Sequence, residues 1–161
     1  MNILDLTYVI SPDMPVYPGT EGPKFLPANS YEKDGFKETL LSMYSHTGTH
    51  MDAPAHLFAQ CSTLDALPAS RFCGRAVVLD VSHRTSITTE YLQARGEMLR
   101  SVDFVLFYTG WEQKWGKPDY FSAFPVMDFI SILRRFDFIL SKYFSRFPKT
   151  LLKFRKFAAT K

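Results

Sequence analysis

The sequence predicts an α/β fold, a single domain with a mixed β-sheet and flanking helices. Three observations carry the prediction. Two short apolar runs, GRAVVLDV at 74–81 and VDFVLFY at 102–108, are of the kind buried on both faces of a sheet. The stretch between them reads as a helix, so strand, helix and strand follow within 35 residues as a βαβ unit. The chain is 161 residues long and 46% hydrophobic, enough to bury a core in one domain.

The elements follow in chain order. Residues 3–10 are aliphatic and β-branched with polar interruptions and predict a strand. SPDMPVYPGTEGP after them is a turn-rich loop. FKETLLSMY at 36–44 alternates imperfectly and predicts a second strand, with Phe36, Glu38 and Leu40 on one face and Lys37, Thr39 and Leu41 on the other. Gly48 and Pro54 make 45–56 a loop leaving that strand. Residues 89–99 predict a helix with Thr88 as its N-cap, and Glu90 stands in the first turn, where a carboxylate complements the helix dipole.

Composition narrows the class. Glycine and proline number 8 and 10, too few for collagen, and the apolar fraction is too high for a disordered chain. No apolar run approaches the roughly 18 residues of a membrane span, and no basic stretch precedes an apolar one at the start. The only cysteines, Cys61 and Cys73, form no CxxC pair, so the reading is a reduced, cytoplasmic protein.

The informative segment is SHTGTHMDAPAH at 45–56, which holds three of the four histidines and an aspartate. Imidazole and carboxylate are the usual ligands of zinc, manganese or iron, and three with an open position suffice for a metal that must also hold water or substrate. His46, His50 and Asp52 are the candidates. On extended backbone His50 and Asp52 share a side, and the turn at Thr47 and Gly48 brings His46 round. Burying several imidazoles together costs free energy unless a metal or hydrogen bonds compensate, so the cluster reads as a site although any one histidine alone would not. His56 is placed as an outer group or a general base, since imidazole exchanges protons at neutral pH. His83, without a partner in sequence, reads as a surface residue at a strand end.

HTGTHMDAPAH at 46–56 resembles the HxGTHxDxPxH signature of the cyclase family, which includes kynurenine formamidases and isatin hydrolases, at every fixed position. LDLTYVISPDMPVYPG at the start and VLFYTGW at 105–111 resemble further family segments, so the likeness spans 3–126. The resemblance implies a cyclase-family α/β fold in which His46, His50 and Asp52 bind zinc or manganese and His56 accepts and donates the proton. Tyr17 falls where the family carries an aromatic lining the substrate pocket, although a loop aromatic covering the core would look the same. The implied reaction is hydrolysis of a small-molecule amide such as N-formylkynurenine, in a homo-oligomer.

At about residue 128 the chain changes character. Residues 1–128 carry 15 acidic and 10 basic side chains, net −5, whereas 129–161 carry nine basic ones against Asp137, net +8, with seven of the 15 phenylalanines and no glycine. The expected division is a cyclase-family domain at 1–127 and a divergent basic tail at 128–161. Apolar residues at 129, 133, 136, 140, 143 and 147 fit an amphipathic helix, which could serve a membrane surface or a partner groove. The preferred reading is a truncated or frame-shifted carboxy-terminal part, with membrane and nucleic-acid binding the weaker ideas. The resemblance also implies a second metal held by a later His and Glu, yet no His follows His83 and Glu112 is the last Glu. A non-catalytic, single-metal remnant of the family is therefore the alternative to an enzyme, and Asp103, Glu112 and Asp119 are the side chains whose approach to Asp52 would favour the enzyme.

Overall fold

The structure, a computed structural model, describes residues 2–128. The helix expected at 129–147 and all of the divergent tail but Asp128 lie outside the described residues. Among the described residues, six strands, three short α-helices and four 3-10 turns follow one another in an α/β arrangement. Strand β1 (Lys24–Asn29) pairs antiparallel with β2 (Glu38–Ser42) around helix α1 (Tyr31–Asp34). Strand β3 (Ala76–Asp80) pairs in parallel with β5 (Phe104–Tyr108), and β4 (Ser86–Ile87) in parallel with β6 (Val126–Met127). Parallel and antiparallel ladders are thus both present, as three two-stranded units.

The crossover between β3 and β5 contains two helices where the sequence predicts one, α2 (Thr89–Gln93) and α3 (Gly96–Arg100). Thr88 caps α2, its Oγ1 accepting the Tyr91 N–H at 3.3 Å. The break lies at Arg95, whose ψ of 15° leaves the helical range ahead of Gly96, a residue that weakens any helix it enters. Asp128 ties the far end of the unit back. Its carboxylate accepts the Thr89 N–H at 3.1 Å while its own N–H reaches the Ile87 carbonyl at 3.1 Å.

The core sits between this ladder and the helices. Leu79, Val81, Ile87, Tyr91, Leu92 and Leu99 are buried, with Val77, Val105, Phe107 and Met127 packed against them. Full burial of side chains of this size contributes about 1.5–3 kcal/mol each. Only one face of β3 and β5 is covered, contrary to the two-sided burial expected from their apolar runs. Val78 is 62% exposed, and Leu106 opposite it 43%. Both helices pack on the other face, and no described element covers this one.

Residues 3–10 are the second departure, since they form no strand. The Asp5 carboxylate takes the Thr7 N–H at 2.8 Å and its hydroxyl at 2.7 Å, a local turn that competes with a ladder for the same backbone donor. The segment is anchored instead by Tyr8, stacked on Trp115 with ring centroids 4.1 Å apart and planes within 5°. Trp115 meets buried Tyr120 edge to face, and Tyr120 meets Phe121 in the same way. Strand β1 carries no clear signal in sequence because Pro27 interrupts it, and the ladder registers that interruption as a bulge between Pro27 and Asn29.

Candidate metal centre

The loop that leaves β2 owes its path to a short turn. Gly48 adopts φ +63°, a conformation an L side chain resists, and Thr47 beside it is buried. A Cβ on Gly48 would stand 3.3 Å from Met14 Cε and 3.5 Å from Ile10 Cγ1, so the loop rests directly on the amino-terminal segment. Beyond it the chain carries no regular element up to Ala53, which is extended, and Pro54–His56 then forms a 3-10 turn closed by the His56 N–H on the Ala53 carbonyl.

This path brings three side chains together. His46 Nδ1 lies 2.8 Å from Asp52 Oδ1 and 3.1 Å from His50 Nε2, and His50 Nε2 lies 3.4 Å from the same oxygen. Two imidazole nitrogens and one carboxylate oxygen therefore converge on one another. Ligands at about 2.0–2.1 Å from a tetrahedral ion stand about 3.3 Å apart, so the spacing suits a divalent metal with little rearrangement. The other nitrogen of His50, Nδ1, lies 2.8 Å from the Gly48 carbonyl. Since a carbonyl can only accept, Nδ1 donates there, which in the neutral ring leaves Nε2 as the ligating nitrogen, the arrangement that orients metal-binding histidines. The three side chains are about a third exposed, which leaves one side of the group open.

His56 comes next to the trio without joining it. Its ring centroid lies 4.1 Å from that of His46, with the planes tilted by 49°. Among the described residues, no other imidazole, thiol or carboxylate completes the group. Asp103 accepts the Arg75 N–H at 2.9 Å, Glu112 the Tyr108 hydroxyl at 3.4 Å, and Asp119 pairs with Lys114 at 2.7 Å. His83 is exposed in the turn after β3, and Cys61 and Cys73 are free thiols. Tyr17 is 53% exposed on the loop whose Met14 touches Gly48, with its ring edge-on to Phe121 at 5.9 Å. The sequence marks Gly48 as a turn but gives no hint that its carbonyl fixes His50, because that contact depends on the loop's full path.

A family profile described as "Putative cyclase" matches residues 4–139. The chain belongs to the cyclase family. A kynurenine formamidase from Salinibacter ruber is 34% identical over 113 residues, covering 68% of this chain and 52% of its own length. Cyclase-like protein 2 of Oryza sativa is 32% identical over 114 residues, covering 66% and 42%. Among solved structures, one described as a potential metal-dependent hydrolase with cyclase activity superposes with a TM-score of 0.64 at 26% identity, covering 83% of this chain and 62% of that one. Isatin hydrolase A from Labrenzia aggregata shares the fold, with a TM-score of 0.67 at 24% identity over 86% and 63%. The chain spans about half the length of the curated relatives it matches. The family match also runs past the composition break near residue 128. Among the described residues, no helix is long and apolar enough to cross a membrane.

Proposed function

We propose that this cyclase-family chain is a metal-dependent hydrolase of small-molecule amides, with N-formylkynurenine the first substrate to try. The observation that carries the reading is the convergence of His46 Nδ1, His50 Nε2 and Asp52 Oδ1, with the His56 ring beside them. Zinc or manganese held by the three would acidify water towards neutrality and polarise the amide carbonyl. His56 takes the proton that the attacking water loses and returns it to the amine nitrogen as the C–N bond breaks. Water thus supplies hydroxyl to the acyl carbon and hydrogen to the leaving amine, giving formate and kynurenine from N-formylkynurenine. Tyr17 lines the side of the site that receives the aromatic part of the substrate. The same reading expects a cytoplasmic homo-oligomer.

The test is metal content of the purified chain together with N-formylkynurenine hydrolysis, with and without added zinc or manganese. About one metal per chain with turnover supports the hydrolase, and His56→Ala should then keep its metal and lose turnover by about a hundredfold or more. Metal without turnover in any condition would favour the single-metal remnant, a reading that the engagement of Asp103, Glu112 and Asp119 elsewhere supports. A folded chain that takes up neither metal would overturn both.

A further inference from the structure

We propose that Arg84 and Arg95 form a binding site for a phosphate group, free or at the end of a monoester, at the carboxyl end of β3 and outside the metal loop. Both guanidinium groups lie against the ring of buried Tyr91, with their Cζ atoms 4.1 and 3.8 Å from its centre. The ring is fixed where it stands, because the Tyr91 hydroxyl donates at 3.3 Å to the carbonyl of Asp80, the last residue of β3. In sheets with parallel strands, that end is where ligands gather. Each arginine is held in turn. The Arg84 N–H donates to the Val81 carbonyl at 2.9 Å, and Arg95 Nη1 donates to the Tyr91 carbonyl at 2.9 Å.

Two cations gathered on one ring repel each other unless negative charge stands beside them. The acidic side chains of the neighbouring elements are engaged elsewhere, Asp80 by Ser82, Glu97 by Arg100 and Asp128 by Thr89, and Glu90 points to solvent. Among the described residues, neither Arg84 nor Arg95 takes part in an ion pair, and Arg84 Nε is a buried donor without an acceptor. Leaving a buried, charged donor unmatched is costly, so this nitrogen points to an acceptor that the chain itself does not supply. With both guanidinium carbons about 4 Å from one ring centre, they stand no more than about 8 Å apart, a span that one oxyanion bridges with charge-assisted bonds of about 2.8 Å on each side. A carboxylate has two oxygens, which a single guanidinium fork already occupies. A phosphate group offers three or more at a charge of about −1.5 to −2, and so serves both forks at once. Bound there, it ties the turn after β3 to the break between α2 and α3.

The experiment titrates the full chain calorimetrically with inorganic phosphate and with phenyl phosphate, at constant ionic strength. One phosphate per chain should bind the wild type, and about tenfold or more weakly to Arg84→Gln and to Arg95→Gln. Affinity should be unchanged in Arg75→Gln, which removes the same charge just ahead of the other end of β3. It should also be unchanged in His50→Ala; loss there would put the ion on the metal loop and overturn the assignment. No binding to the wild type, or one affinity across all the arginine variants, would overturn it as well. Phenyl phosphate bound with the same dependence on both arginines supports a site open to monoesters, and binding of inorganic phosphate alone supports a site for the free ion. Should Arg84→Gln not fold, as near-ultraviolet circular dichroism would reveal, Arg84→Lys takes its place, keeping the charge and losing the fork; wild-type affinity in that variant would count against the site.

Discussion

His50 is held at both ends of its ring, by the Gly48 carbonyl on Nδ1 and by the convergence with Asp52 and His46 on Nε2. That double constraint makes separable predictions. His50→Ala removes a donor atom outright, and a chain that kept stoichiometric metal after this substitution would contradict the ligand assignment. Gly48→Ala leaves all three donors in place but forces a left-handed backbone on a residue with a Cβ, a strain of about 1–2 kcal/mol. It also disturbs the carbonyl that orients His50, for which a loss of about ten- to a hundredfold in metal affinity is expected. Competition with a chromogenic chelator measures both. Much of this centre is legible in the sequence, because the ligand-type residues crowd into one short loop and any fold must keep them within reach of one another. The partner of His50 is not legible, since it is a backbone atom whose direction only the folded turn decides.

At the scale of elements, helix α2 depends on its start. Thr88→Ala leaves the Tyr91 N–H without its side-chain acceptor and should cost about 1 kcal/mol, read as a shift of the denaturation midpoint with an unchanged slope. Leu92, 3% exposed on the same helix, should cost about 2–5 kcal/mol when cut to Ala. Asp80, at the end of β3, accepts the backbone N–H of Ser82 at 3.0 Å and its hydroxyl at 2.7 Å, and these bonds hold its carboxyl below the ordinary range. A depressed acid stabilises the fold above its unfolded value and loses that contribution as pH falls through the folded one. The difference in melting temperature between wild type and Asp80→Asn should therefore be full at neutral pH and shrink below about pH 4. A difference that stayed constant down to pH 2 would contradict the role given to Asp80. These elements are readable in sequence because cap, first turn and apolar period agree locally. The helix break at Arg95 is less so, for an isolated Gly inside a helical pattern is ordinarily tolerated.

The whole molecule shows where local signals run out. Residues 3–10 have the composition of a strand, yet a strand exists only against a partner edge, and Asp5 turns the backbone locally instead. Strands β3 and β5 read as buried on both sides, and their apolar content is sound, but burial depends on what packs across them. Val78 and Leu106 stand exposed together with Ile3, Leu4 and Val9. Apolar surface of this kind favours association, so sedimentation should show a mass that rises with concentration, and Val78→Lys should reduce that rise while shifting stability by no more than about 0.5 kcal/mol. A strictly monomeric chain at high concentration would contradict the expectation.

The parallel stack of Tyr8 on Trp115 also makes the amino-terminal segment visible to light. Only two tryptophans exist, and the other, Trp111, is tethered through its indole N–H to the Tyr120 carbonyl at 2.7 Å. Burial, and then the proximity of Tyr120 and Glu112, hold the Tyr8 phenol protonated above its ordinary value, so the stack stays neutral well into alkaline solution. Residues 3–10 have no strand ladder to hold them, and this ring pair is one of their anchors to the later chain. Emission from Trp115 is thus a clock for docking of that segment: in a stopped-flow refolding trace, a phase present in the wild type and missing in Tyr8→Leu times the moment at which residues 3–10 close against the loop that carries His46 and His50.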